Sequence, residues 1–249
     1  MTKVLDVIEA NGYRIEIRPV EESDIPHLAD LLVNRVFMEI LPTDSVKKEA
    51  ERYRGRFETY PEGIFVAEDV KNSKVVGVHS AQLLQWGPYN AVPATWIEMT
   101  DDGCVRKTHN PKGNAWHIVT NVVDREYAGV AGLGIGTKLL NTAIKSFTNN
   151  SALEYMFVGH MLGRADKEEI RYFRNYLGDT SHLRDDQLKS KLMDYASSMS
   201  INPKTGTLEP IDKVTRFYTR AGLRPRQILL NWEGDAEYDY CLFQLMRKG

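Results

Sequence analysis

The chain has 249 residues, with 42% hydrophobic and 27% charged residues, the composition of a globular protein with a substantial core. Its 32 basic and 34 acidic residues leave a net charge of −2, which gives no electrostatic footprint for nucleic acid or an anionic membrane. The two cysteines, Cys104 and Cys241, lie far apart with no Cys/His spacing that suits zinc. They read as reduced thiols, and no metal is expected.

"MTKVLDVIEANGYRIEIRP" is interrupted by charges and holds no apolar run of signal-peptide type, and no segment approaches the length of a membrane span. A cytoplasmic protein is expected. "YRIEIRPV" (13–20) alternates as a half-buried strand. In "EESDIPHLADLLVNRV", Ser23 or Asp24 caps a helix with Ile25, Leu28, Leu31 and Leu32 at helical spacing. Residues 44–59 read as a second, charged helix. "GIFVAED" and "KVVGVHSAQLL" read as strands joined by the short polar "VKNS", an antiparallel hairpin.

Residues 85–114 lack periodicity and are rich in turn formers, an irregular excursion of the kind that often carries function. "AWHIVTNVV" (115–123) is a buried strand, followed by "AGVAGLGIGT" (128–137). A helix then presents Leu139, Leu140, Ala143, Ile144 and Phe147 on one face. "LEYMFVGHM" (153–161) is a strand. Residues 163–212 form a second, largely helical excursion. "KVTRFYTRAGL" is a short helix closed by Gly222, and "PRQILLNW" and "YDYCLFQLMRK" are strands. The class is mixed α/β with a mostly antiparallel central sheet.

A strand running into a glycine-rich turn and then a helix is a phosphate-binding arrangement, because bare backbone amides and the positive helix end converge there. A Walker loop needs Gly-Lys-Ser/Thr, but Gly136 is followed by Thr137 and then Lys138. A Rossmann fingerprint needs Gly-x-Gly-x-x-Gly, and Gly132, Gly134 and Gly136 give Gly-x-Gly-x-Gly. A helix-capping turn with no ligand remains open on these residues alone.

The sequence "VVDREYAGVAGLGIGTKLL" resembles the acyl-CoA loop of the Gcn5-related N-acetyltransferase (GNAT) superfamily, with its Arg/Gln-x-x-Gly-x-Gly/Ala pattern and following Leu-Leu pair. "RFYTRAGLRPRQIL" is similar to that family's Phe-Tyr-x-x-x-Gly-Phe segment, and "IRPVEESDIPHLADLL" to its opening strand and helix. The resemblance runs end to end and implies one GNAT-like domain over 1–249, with insertions at about 85–114 and 163–212. Ala131 departs from the pattern where Arg or Gln is usual, and Gly129, Val130 and Ala131 lengthen the loop. Backbone donors of residues 132–137 then hold the pyrophosphate, with Lys138 or Arg125 as compensating charge.

The resemblance further implies that a thioester lies near residues 118–122. Val122 and Val123 pair with pantetheine, and Gly132, Leu133, Gly134, Ile135, Gly136 and Thr137 bind the phosphates of acetyl-CoA or another short acyl-CoA. Tyr218 matches the tyrosine that protonates the departing sulfur. For the base, His160, His117, Thr120 and Glu98 all stay open. A lone histidine in an apolar strand is more often a satisfied core residue than a catalyst. If the strand alternates regularly, Thr120 and Val122 share one face and His117 sits on the other.

A narrower resemblance, in "VGHMLGR" and the long excursion, is to the GNAT-like loading domains of polyketide synthases. There Thr120 and His160 are the nearest counterparts of catalytic residues, and a carrier protein is the acceptor. The same excursion resembles GNAT domains found beside nitrilase-like enzymes. Three functions are thus expected in turn: acyl transfer from CoA to an amine of a small molecule or peptide, S-acyl transfer to a carrier protein with or without decarboxylation of malonyl-CoA, and non-catalytic acyl-CoA binding. Within 163–212 the apolar Ile170, Phe173, Leu188, Leu192 and Tyr195 allow a lid or a homodimer surface.

Overall fold

The computed structural model describes residues 3–36, 45–87, 92–93, 95–163, 165, 167–202, 205–232 and 239–248. Parts of the expected excursions, 88–91, 94, 164, 166 and 203–204, lie outside the described residues, as do residue 44 of the charged helix and Tyr238 of the last expected strand. Contacts divide the chain into two compact units, the first made of 1–90, 97–154 and 248, the second of 91–96, 155–247 and 249. Within each unit the strand pairings among the described residues are antiparallel.

The first unit holds β1 (Asp6–Ala10), β2 (Tyr13–Pro19), β3 (Ile64–Asp69), β4 (Lys74–Leu84) and β5 (Ala115–Val123), each paired with the next. Strand β1 is an addition to the expected order. Its signal was present: Asn11 and Gly12, at φ 53° and 79°, make the tight turn that an Asn-Gly pair between alternating segments encodes. The helices α1 (Ile25–Asp30), continued by a π-helical stretch Leu31–Val36, and α2 (Ser45–Thr59) cover one face. Their core joins Leu28, Leu31, Leu32 and Tyr53 to Ile64, Val66 and Val78, with Val122 packed against it. A short helix, α3 (Trp96–Thr100), interrupts the excursion expected to be irregular.

Helix α4 (Arg125–Ala128) and helix α5 (Ile135–Asn149) follow β5. A Cβ on Gly77 would meet Leu139 and Ile135 of α5 at 3.1 and 3.3 Å, whereas the adjacent Val78 points into the α1/α2 core. Neighbouring strand residues face opposite ways, so α5 covers the other face. Leu139, Leu140, Ala143 and Phe147 are buried, as their spacing predicts.

The second unit holds β6 (Tyr155–Met161), α6 (Lys167–Leu177), α7 (Asp185–Ser197), the ribbon β7 (Met199–Ile201) and β8 (Leu208–Pro210), α8 (Lys213–Arg220), β9 (Arg224–Leu230) and β10 (Tyr240–Arg247). Strand β10 pairs with both β6 and β9. The helical excursion spends its apolar face inside this unit: Phe173, Leu177, Leu192 and Tyr195 pack with Ile228 and Leu242.

Gly163, just past β6, has φ +65°, and a Cβ there would fall 2.3 Å from Phe173 Cγ. Strain and overpacking together are expected to make Gly163→Ala cost about 3 kcal/mol, read as a lower urea midpoint at unchanged m. A midpoint within error of wild type would contradict this packing.

Candidate active site

The glycine loop is built from its flanks inward. Asp124, 1% exposed, ends β5 and caps α4 by accepting from Glu126 N at 3.0 Å. It also pairs with Arg35 at 2.7 Å and Lys74 at 3.1 Å. Burial works against its charge, but that amide and the two cations outweigh burial and hold its pKa below the usual value. The chain then crosses to the β1–β2 turn, where Asn11 Nδ2 donates to Ala131 O at 2.5 Å. The extra residues 129–131 thus reach a hairpin that is absent from the expected strand order.

Gly134 occupies the cap position of α5 at φ +52°, ψ 32°, a left-handed conformation, with no atom within 4 Å of where a Cβ would project. The first amides of α5 have no carbonyl four residues back within the helix, so they are free to receive an anion. Gly132, Leu133, Gly134, Ile135, Gly136 and Thr137 form this end, with Leu133 and Ile135 anchored in the core. Lys138 Nζ is held by Asp6 at 3.1 Å, and Arg125 is exposed on α4.

Strand β5 carries a bulge. Ser80 lies opposite Thr120 but Ala81 lies opposite Ile118, so Val119 is the extra residue. The bulge reverses the alternation and puts His117 on the face of Thr120, correcting the regular pattern expected for this strand. On that face Arg56 of α2, 1% exposed, donates from Nη1 to Thr120 Oγ1 and Ser80 Oγ, each at 3.1 Å, and from Nε to Gly103 O at 2.6 Å. Its guanidinium lies 4.6 Å from the Tyr53 ring centre.

His117 is tied to Gln82, whose Nε2 lies 3.0 Å from His117 Nδ1 and donates to Met99 O at 2.7 Å. Thr108 Oγ1 donates to Gln82 Oε1, which fixes the amide and makes His117 Nδ1 the acceptor. Burial first, then the Arg56 charge, drives His117 down to about 3. On the opposite face His79 Nδ1 meets Asn121 Oδ1 at 3.1 Å, and burial takes His79 to about 4. Val122 packs inward, Val123 is half-buried at the end of the strand, and Glu98 lies on the exposed side of α3.

In the second unit, His160 near the end of β6 and Tyr218 of α8 stack with centroids 5.7 Å apart. His160 Nε2 contacts Gln244 Oε1 of β10 at 2.9 Å. Gln244 Nε2 donates to Thr219 Oγ1 at 3.2 Å, so its carbonyl faces the imidazole and Nε2 carries the proton. Nδ1, at a longer 3.4 Å from the carbonyl of Met161, is then the unprotonated nitrogen. Burial lowers the His160 pKa, against Asp212 and Gln244, so the ring is neutral near pH 7. Burial alone raises the Tyr218 pKa well above the ordinary phenol value, and its hydroxyl has no hydrogen-bond partner among the described residues.

The sequence-derived residues therefore fall into three groups: the glycine loop, the pair His117 and Thr120 on one face of β5, and the pair His160 and Tyr218. Arg56 and Gln244 were not anticipated. Arg56 reads in sequence as one more charge on a solvated helix, and Gln244 as a polar residue in an apolar strand. Only the latter, an isolated amide in "CLFQLM", gave a signal.

The fold is that of GNAT-like domains. The chain is similar to the loading GNATL domain of CurA from Lyngbya majuscula, with a TM-score of 0.64 and 17% identity over 94% of this chain and 97% of that one. The GphF GNAT-like decarboxylase, in complex with isobutyryl-CoA, matches at a TM-score of 0.65 and 21% identity over 93% and 98%. RimL, a ribosomal L7/L12 alpha-N-protein acetyltransferase, matches at 0.50 and 12% identity over 98% and 94%. No protein-family model and no curated protein sequence matches the chain.

Proposed function

We propose that this protein is a cytoplasmic acyl-CoA-dependent acyltransferase, a single GNAT-like domain that passes an acetyl or other short acyl group from CoA to an amine of a small molecule or peptide. The observation that carries the reading is the stacked pair of a neutral imidazole, its Nδ1 3.4 Å from the carbonyl of Met161, and a protonated phenol whose hydroxyl has no partner among the described residues. These are a base and an acid in the states the reaction needs.

CoA fits the glycine end of α5 on chemical grounds: Gly134 leaves the amides uncovered, and the helix end favours phosphate. Residues 132–137 hold the pyrophosphate, while Val122 and Val123 offer backbone groups to pantetheine. His160 Nδ1 takes the proton of the attacking amine as the C–N bond forms. The tetrahedral oxyanion is stabilised by a backbone amide of β5. When the C–S bond breaks, Tyr218 gives its proton to the thiolate, and solvent restores both groups. His117, committed to Gln82, has no part in these steps.

Thr120 favours a second reading. Arg56 donates to its oxygen, and the CurA loading domain and the GphF decarboxylase are the closer of the three fold matches described. In that reading the acyl group passes to a carrier-protein thiol, with or without decarboxylation of malonyl-CoA, and Thr120 and His160 act on the thioester. Thiol release from acyl-CoA with a panel of amines supports the first reading, and acyl loading of a carrier protein supports the second. Tight binding with neither indicates a non-catalytic acyl-CoA module, and failure to bind any acyl-CoA defeats all three.

Gly134→Val is expected to weaken acyl-CoA binding at least about 100-fold by calorimetry, because a β-branched residue resists the left-handed cap and covers the amides. Undiminished affinity would remove the loop from the binding site.

A further inference from the structure

Two buried carboxylates of the second unit tie together the elements that carry His160 and Tyr218. Asp212 Oδ1 accepts from Thr215 N at 2.7 Å, and its Oδ2 accepts from Gly163 N at 2.8 Å. Glu169 Oε1 accepts from Lys213 N at 2.7 Å, and its Oε2 accepts from Ala165 N at 2.7 Å. Each carboxylate thus takes one amide from the turn that follows β6 and one from the first turn of α8. Asp212 is 0% exposed and has no cationic partner among the described residues.

A buried carboxylate without a cation is costly, and asparagine caps a helix about as well as aspartate. Asp212 does more than end a helix, because its second oxygen holds Gly163 N. Gly163 lies three residues after His160, and Tyr218 lies on the helix that Asp212 caps. The stack of His160 on Tyr218 depends on how β6 and α8 are registered, and the two carboxylates are direct side-chain ties between those elements.

We propose that Asp212, with Glu169 as the second arm of the staple, is a positioning residue that holds the imidazole of His160 against Tyr218 for proton transfer. This rests on the acyltransferase reading. The groups facing His160 are Tyr218 from α8, Gln244 from β10, the carbonyl of Met161 on its own strand, and the charge of Asp212. Of these, Asp212 is the one carboxylate, and it favours the protonated imidazole. A misplacement of about 1 Å between acid and base is enough to cost on the order of 100-fold in rate.

Asp212→Asn tests the staple. Asparagine keeps the cap through Oδ1 but turns an N–H towards Gly163 N and removes the charge. The expected result is a fall in kcat of about 10- to 100-fold with KM for acyl-CoA unchanged. The acid limb of the pH profile should move to lower pH, and the NMR titration of His160 should move with it. Glu169→Gln, which keeps one acceptor, should show a smaller kcat loss and serves if Asp212→Asn does not fold. A folded Asp212→Asn protein with unchanged kcat, or with an unmoved His160 titration, overturns the proposal. A wild-type chain that binds and turns over no acyl-CoA defeats the acyltransferase reading instead, and the His160 titration still decides the staple.

Discussion

Tyr218→Phe is expected to lower kcat about 100-fold while leaving acyl-CoA affinity unchanged, the low end of what a positioned general acid contributes. The substitution is nearly isosteric, and the hydroxyl it removes has no partner among the described residues, so folding has nothing to lose. The ring keeps its stack on His160 and its edge-on contact with Phe217 at 5.0 Å. Only the proton for the leaving thiolate goes. Thiol release measured beside calorimetric binding separates the two effects, and a thioester with a more acidic thiol should recover most of the lost rate. Undiminished turnover with CoA thioesters would leave Tyr218 as a packed aromatic residue.

Acidification from pH 7 to pH 5 is expected to cost about 4 kcal/mol of folding stability through His79 and His117, because pH 5 lies about 1.5 units below the unfolded histidine pKa and each histidine loses about 1.4 kcal/mol per unit. Burial lowers both, to about 4 and about 3, so at pH 5 both remain neutral in the folded chain. The unfolded chain binds protons below about 6.5 and the folded chain does not, so stability falls as pH falls through that value. His109 and His160 are lowered too and act in the same direction. Glu169 opposes them, since burial and Asp212 raise its pKa and the folded state takes up its proton more readily. Carboxylates held low, such as Asp124, add a loss only in more acid solution. Urea unfolding at the two pH values measures the sum. His117→Gln should reduce the pH slope by about one proton, and a slope unchanged in that variant would show that His117 is not neutral in the fold.

Much of this fold was legible because its signals are local. The apolar stripe of α5, the polar link between β3 and β4, and the glycine cap at Gly134 each depend on residues a few positions apart. The additional strand β1 was legible as well, in Asn11-Gly12, but the charged residues around it masked the alternation. The polar site residues were harder to read. Helix α2 buries Glu49, Tyr53 and Arg56 on one side, and a buried face made of such residues carries no hydropathy contrast.

The sequence by itself determined the mixed α/β class and the strand–glycine–helix unit, because periodicity and turn chemistry are written in neighbouring residues, while Tyr218 and His160 entered as candidates through the family resemblance. Only the tertiary structure decided which groups meet. The bulge at Val119 moved His117 onto the face of Thr120, Asp6 claimed Lys138, Arg56 came to Thr120, and Asp212 joined the turn after β6 to α8. Each of these joins residues far apart in the chain. Their pairing is fixed by strand register and by the need to satisfy buried polar atoms, neither of which has a period in the sequence.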